Sequence, residues 1–292
     1  MAALFFALLL ALPGASSFAA ITVVDDAGAR VTLAAPAQRI ISMAPHITEL
    51  LFAAGGGERI VGAINFSDHP EAAKKIPLVG SNAQIDMERV IALKPDLLIV
   101  WQSGNTGRQL EQLGKLGIPI FQSEPTRIDQ VADSLTRFGK LLGTQKAASA
   151  SAAQFRASIA SLSERYGKRP PVRVFYQIWD KPIYTLSGKH IVSDAIHLCG
   201  GVNVFGGLKV VAPSVSVEAV LQENPEAIFG SEQYDPADAG IAIWKPYHSL
   251  LAVERGNLFR IEGELLTRPG PRLAQGVAQL CEKIELARQR RK

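Results

Sequence analysis

A sixteen-residue pattern occurs twice in this chain, once in each half. It reads IDMERVIALKPDLLIV from Ile85 and VSVEAVLQENPEAIFG from Val215. Superposed, the copies pair Glu88 with Glu218, Val90 with Val220, Pro95 with Pro225 and Asp96 with Glu226, while Asp86 falls on Ser216. Asp and Ser are both good helix N-caps, because their side-chain oxygens accept a bond from a first-turn N–H that has no partner inside the helix. Each copy therefore predicts a short capped helix, a proline that stops it and a buried strand. The period is too long for a solenoid and fits two similar lobes. Two lobes enclose a cleft, and a cleft suits a ligand.

The segments around the repeat argue for an α/β class. Ile21–Leu33 reads as a hairpin turning at Asp26–Gly28. Arg39–Ser42 is a short buried strand that runs through Pro45 and His46 into an apolar helix over 47–54, stopped by Gly55, Gly56 and Gly57. Strands are expected over 59–64, 97–101 and 118–122, with a helix over 106–116. Strands alternating with helices favour a parallel sheet. From Ile128 to about Tyr166, apolar residues such as Val131, Leu135, Phe138, Leu142, Phe155 and Ile159 recur at helical spacing. This predicts one or two long helices, broken or kinked at Gly143, and a helical connection is stiffer than a Gly/Pro-rich linker. The pattern then restarts with a strand over 172–178 and a helix over 191–198 that ends in Cys199, Gly200 and Gly201. The second repeat copy follows, then a helix over 248–254, a strand over 258–261 and an amphipathic helix over 272–288. The expected division is a signal peptide over 1–19, an N-terminal lobe over 20–142, a connecting helix over 143–169 and a C-terminal lobe over 170–292.

Leu4–Leu12 forms an apolar core followed by Pro13, Gly14 and small residues, and Ser17 and Ala19 suit peptidase cleavage before Ala20. The run is shorter than a membrane span, so export is expected, with a short anchor as the alternative. No Lys or Arg precedes the apolar core, and no cysteine near the cleavage site offers a lipid attachment point. The net charge of +4 is spread along the chain except for Arg288, Arg290, Arg291 and Lys292, which read as the solvated end of the last helix. Without a basic stripe interleaved with aromatics, nucleic acid is not an expected partner. The cysteines are Cys199 and Cys281. In an exported chain they invite a disulfide, the alternative being two buried thiols.

Walker A, GxSxG and HExxH motifs are absent. The histidines are His46, His69, His190, His197 and His248, and they form no convergent ligand set in the sequence, so no metal site is expected. His46 sits where a strand becomes a helix, which suits either a ligand contact or a hydrogen-bonded turn. Aromatics near strand ends stand out: Phe66 and Trp101 in the first half, Trp179 and Tyr184 in the second. Rigid apolar faces with few polar groups suit a large organic ligand, and core or rim packing is the alternative for each. Glu264 and Arg268 follow the last strand and read either as a charge pair offered to a ligand or as a surface pair. Glu88 and Glu218 share one slot of the repeat. They read either as first-turn acids favoured by the helix dipole or as one acidic knob per lobe for a two-fold-symmetric basic partner.

The stretches RIISMAPHITELLFAAGG, VGAINFSDHPEAAKKIPLVGS, DMERVIALKPDLLIVWQSGN, LGIPIFQSEP, LCGGVNVF, VSVEAVLQENPEAI and RPGPRLAQGVAQLC carry a family resemblance across nearly all of the mature chain. The chain resembles the periplasmic substrate-binding proteins of ABC transporters that carry cobalamin, haem and iron–siderophores, most closely the cobalamin-binding branch. The resemblance implies a non-catalytic, cofactor-free monomer with two Rossmann-like α/β lobes joined by a single long helix and a cobalamin ligand in the cleft. By the same resemblance Phe66, Trp101 and Tyr184 line the pocket, Glu264 and Arg268 supply polar contacts, and Cys199 and Cys281 are bridged. Glu88 and Glu218 match acids that dock onto arginines of an inner-membrane permease dimer. Asn82 and Ala212 stand where the best-known cobalamin binder has tryptophans, and Glu264 replaces an aspartate. Trp179 is a candidate to compensate for the lost stacking area. Haem or a ferric siderophore is the alternative cargo, and a two-lobed metallochaperone or enzyme the alternative class.

Overall fold

A computed structural model of the chain describes residues 20–231 and 239–291, so the expected signal peptide lies outside the described residues. The antiparallel hairpin β1 (Ile21–Val24) and β2 (Arg30–Leu33) leads into the first lobe. That lobe runs β3 (Ile40–Ser42), α1 (Pro45–Ala53), β4 (Ile60–Ala63), α2 (Met87–Ala92), β5 (Leu97–Trp101), α3 (Gly107–Gly114) and β6 (Ile120–Ser123). Its strands form a parallel sheet in the order β4-β3-β5-β6. Two helices follow, α4 (Ile128–Leu142) and α5 (Gln145–Tyr166). Gly143 separates them at φ 69°, a left-handed conformation that closes α4 and that glycine adopts without strain.

The second lobe comprises β7 (Val172–Asp180), β8 (Ile183–Thr185), α6 (Ile191–Leu198), β9 (Gly201–Asn203), α7 (Val217–Glu223), β10 (Ala227–Ser231), α8 (Leu251–Glu254), β11 (Leu258–Ile261), α9 (Gly263–Thr267) and α10 (Leu273–Gln289). Here β10 lies between β7 and β11, all parallel. The first part of β7 also pairs with β9 in parallel, and its last part with β8 in antiparallel. The strand thus runs beyond residue 178, where the sequence ends it, and places Trp179 inside β7, directly opposite Tyr184 of β8.

The sequence repeat is a repeat of hydrogen bonds. Asp86 caps α2 by accepting from the Arg89 N–H, and Ser216 caps α7 by accepting from the Ala219 N–H. Val90 and Val220 are both fully buried. Lys94 and Asn224 occupy the same slot and both turn at positive φ, 46° and 41°. The Asp96 carboxylate accepts from the Arg39 N–H before β3, and Glu226 accepts from the Arg173 N–H of β7. The two arginine side chains complete the symmetry. Arg39 donates to the Leu93 carbonyl behind α2, and Arg173 donates to the Glu223 carbonyl at the end of α7.

Strand alternation divides the core. Ile40, Leu97 and Ile99 face one way while Ile41, Leu98 and Val100 face the other. In the second lobe Val174, Tyr176 and Phe229 face one way and Phe175 and Ile228 the other. This is the period-2 consequence of burying both faces of a parallel sheet. The faces turned toward α5 belong to a single hydrophobic cluster that runs through Ala148, Ala152 and Phe155 from one lobe to the other. Helix α5 packs on α4 and α1 of one side and on α10 and α6 of the other. Thr144 and Ser151 donate to the Ala54 and Ala53 carbonyls behind α1, and a Cβ on Gly139 of α4 would stand 2.4 Å from the Ala148 Cβ of α5.

Of the basic C-terminus Lys292 lies outside the described residues, while Arg288, Arg290 and Arg291 are each engaged by protein partners rather than left to solvent. Arg288 donates to the carbonyls of Pro170, Cys199 and Gly200, Arg290 to Gly256, and Arg291 to both carboxylate oxygens of Glu226. A run of charge does not reveal these partners: Arg288 and Arg290 cross to carbonyls at the glycine turns after α6 and α8, and Arg291 to a carboxylate. A disulfide joins Cys199 at the end of α6 to Cys281 in α10 and excludes the free-thiol alternative.

Candidate functional site

The carboxyl ends of the parallel strands from both lobes meet around one cavity of about 740 Å³. Such ends are where ligands bind in open α/β sheets, since the crossover helices leave a crevice there. The first lobe contributes Pro45 and His46 from the start of α1, Ile64, Asn65 and Phe66 after β4, Asn82, and Trp101 at the end of β5. The second contributes Tyr176 and Ile178 of β7, Leu186, His190, Ser231 at the end of β10, and Gly263, Glu264, Thr267 and Arg268 of and after α9.

Trp101 is held by its own loop. Its N–H donates to the Asn105 side-chain oxygen at 2.8 Å, and its carbonyl accepts from the Asn105 N–H at 2.9 Å. Ser103 is fixed in turn by its N–H and hydroxyl to Glu124. The indole lies against Gly104, where an added Cβ would come within 1.8 Å of the ring. Edge-on to it stands the imidazole of His46, with ring centroids 5.5 Å apart and planes 81° from parallel. Phe66 is 72% exposed and sits at φ 66°, an uncommon backbone region for a bulky residue. A strained residue presenting a bare ring at a cavity makes Phe66 a candidate for ligand contact.

The opposite wall carries charges that are paired with one another, three carboxylates sharing two guanidiniums. Glu264 and Arg268 lie one helical turn apart and pair at 2.5 Å. Arg268 also reaches Asp68 at 3.2 Å and Glu49 at 3.7 Å in the first lobe. Arg272 grips both Glu49 oxygens, at 2.7 and 3.0 Å, and approaches Glu264 at 3.7 Å. Glu49 retains only 3% of its side-chain exposure. Five charged residues thus join the lobes beside the cavity. Two histidines complete the lining. Burial, followed by repulsion from Arg268, pushes the His46 pKa down to about 3, and burial pushes that of His190 down to about 4. Both rings are therefore neutral near pH 7.

Of the aromatics singled out in the sequence, the cavity brings together Phe66 and Trp101 and leaves Trp179 and Tyr184 outside its lining. Trp179 is 53% exposed, and its indole N–H donates to the Lys181 carbonyl. The aromatic of that wall is Tyr176, one alternation step earlier on the same strand face as Ile178. Strand parity within β7 was the signal that could have found it. Glu264 and Arg268 both line the cavity, as does Asn82, while Ala212 packs half-buried against the core. Glu88 and Glu218 are exposed in the first turns of α2 and α7, away from the lining. Among the described residues no His, Cys, Asp and Glu group is arranged to hold a metal ion, and no helix is long and apolar enough to cross a membrane.

Two α/β lobes on a shared helix, with a mostly apolar cavity between them, define a protein built to hold a sizeable ligand. The chain belongs to the periplasmic binding protein family, whose model matches residues 40–265. It is 37% identical over 253 residues to the vitamin B12-binding protein of Vibrio cholerae, covering 86% of this chain and 91% of that one. It is 39% identical over 248 residues to the vitamin B12-binding protein of Yersinia pestis, covering 85% and 86%. The crystal structure of the periplasmic vitamin B12 binding protein BtuF of Vibrio cholerae superposes with a TM-score of 0.81 at 36% identity, over 87% of this chain and 99% of that one. The relatives are binding proteins, and this chain is a binding protein rather than an enzyme.

Proposed function

We propose that this protein, exported to the periplasm, captures cobalamin in the interlobe cavity and delivers it to an inner-membrane ABC importer. The observation that carries the reading is the cavity itself: rigid aromatic faces from both lobes, a volume toward the upper part of the roughly 300–1,000 Å³ range of small-molecule sites, and a lining whose exposed surface is mostly apolar. The vitamin B12-binding relatives support the same ligand. Phe66 and Trp101 offer stacking surface from one lobe, and Glu264 and Arg268 offer polar contacts from the other. Trp179 and Tyr184 contribute at most at the rim. In this reading residues 20–142 and 170–292 act as lobes, 143–169 as a stiff spine, and the protein works as a monomer.

Haem or a ferric siderophore is a less suitable cargo. Anionic ligands call for cations, and Arg268, the arginine of the lining, is already engaged by Glu264 and Asp68. Glu88 and Glu218, one per lobe and both exposed, are the proposed docking points for the two halves of the permease. The direct test is a calorimetric titration of the mature protein with cyanocobalamin. Saturable one-to-one binding is expected, and no binding at tens of micromolar would overturn the assignment.

A further inference from the structure

The two lobes present histidines at equivalent places. In each, the first helix after the leading strand opens on the cavity wall with an imidazole: His46 in the first turn of α1, His190 as the N-cap of α6. His190 Nδ1 accepts the Val192 N–H at 3.2 Å, so in the neutral ring the hydrogen resides on Nε2, a donor. His46 is 2% exposed and its Nε2 has no hydrogen-bond partner among the described residues. A buried polar atom without a partner is costly, and His46 is one of the residues that line the cavity.

We propose that His46 and His190 form a polar pair across the cleft that hydrogen-bonds uncharged amide groups on the ligand and selects against ligands carrying a carboxylate in their place. This rests on the reading of the cavity as a corrinoid site and specifies which chemistry of the corrinoid is read. A primary amide carries both an acceptor oxygen and donor hydrogens. It can take a bond from the His190 Nε2–H and give one to a neutral imidazole nitrogen. A carboxylate offers no hydrogen to donate. It also finds no spare positive charge, because Arg268 is shared among Glu264, Asp68 and Glu49, and the other charged side chain of the lining is the Glu264 carboxylate itself. Burying it there leaves its desolvation uncompensated, and sites built for one hydrogen-bonding pattern reject the analogue that breaks it.

Two variants isolate the effect. H46F keeps an aromatic ring against Trp101 and removes the nitrogens. H190N keeps a side-chain oxygen to cap α6. Circular dichroism and thermal melting establish that each is folded. The probes are cyanocobalamin and its three purified monocarboxylic acids, each with one peripheral amide hydrolysed, titrated at pH 7.5. Wild-type protein is expected to bind cyanocobalamin and to bind at least one monoacid at least tenfold more weakly. Each variant is expected to lose about tenfold in affinity for cyanocobalamin and to narrow the gap between amide and acid. If wild-type protein does not bind cyanocobalamin, the cobalamin reading itself fails. If it binds but the folded variants bind equally well, or all three acids bind as tightly as the amide, the histidine pair is refuted and the cobalamin reading stands.

Discussion

Replacing Glu49 with glutamine removes a first-lobe carboxylate that is held by arginines of the second lobe. Its two oxygens lie 2.7 and 3.0 Å from Arg272 in fork-to-fork geometry, and a third contact reaches Arg268 at 3.7 Å. The side chains are 3% exposed for Glu49 and 17% for Arg272, so neither is well hydrated when its partner is lost. The guanidinium keeps Glu264 at 3.7 Å as a weaker second partner. Breaking a buried pair from one side costs roughly 3–5 kcal/mol, and the residual partner places E49Q near the lower end, about 3 kcal/mol. R272M strands the more deeply buried carboxylate and is expected to cost at least as much. The double variant strands nothing, so it is expected to be no worse than either single variant. The coupling energy from the cycle should therefore be about 2 kcal/mol or more. Urea unfolding reads these values directly, and with an m-value of about 3 kcal/mol/M the E49Q midpoint moves by about 1 M. Additivity within about 0.5 kcal/mol would refute the argument that this pair fastens the lobes together.

Four further perturbations have defined outcomes. G104A should displace the Trp101 indole and reduce corrinoid affinity at least tenfold by titration, whereas G107A, with nothing within 4 Å of the new methyl, should bind as wild type. Reduction of the Cys199–Cys281 bond, which closes a span of 82 residues, should cost about 4.5 kcal/mol in the chain-entropy account, seen as a fall in melting temperature of roughly 10 °C with reductant. His46 and His190 titrate lower in the fold than in the unfolded chain, so the unfolded state takes up protons first on acidification. Their contribution is whole above about pH 6.5. It is lost below that at about 1.4 kcal/mol per pH unit for each, toward pH 4 for His190 and pH 3 for His46, and stability measured between pH 7.5 and 4.5 should decline accordingly. Charge reversal at both Glu88 and Glu218 should leave cobalamin affinity unchanged and abolish uptake in a transport assay; unchanged uptake would end the docking hypothesis.

The architecture was legible because periodicity and punctuation carry it. The capped repeat, the Gly143 break and the alternating strands each follow from one local rule, and the structure adds symmetric detail such as the left-handed turns at Lys94 and Asn224. Half of the aromatic site was legible for a similar reason, since strand ends and adjoining loops can be read off the sequence. Tyr176 escaped notice because it lies within a strand, where facing depends on parity and on how far the strand runs. Trp179 was misplaced by the same error, as β7 continues to Asp180 before turning. The five-membered charge network was not legible at all, because Glu49 and Asp68 meet Arg268 and Arg272 only after the whole chain has folded. For the terminal arginines, likewise, composition foretold charge and folding supplied the carbonyls.

Helix α5 has a mechanical consequence. Its 22 residues form a rod about 33 Å long, packed on helices from both sides of the cleft and sharing their hydrophobic cluster. Spreading the lobes therefore flexes a continuous hydrogen-bonded spine instead of swinging a loose hinge. Such a spine would resist opening elastically, as a spring clip does, rather than allow free rotation about a linker. If the protein delivers its cargo as proposed, release calls for a partner that can pull the lobes apart against this spine.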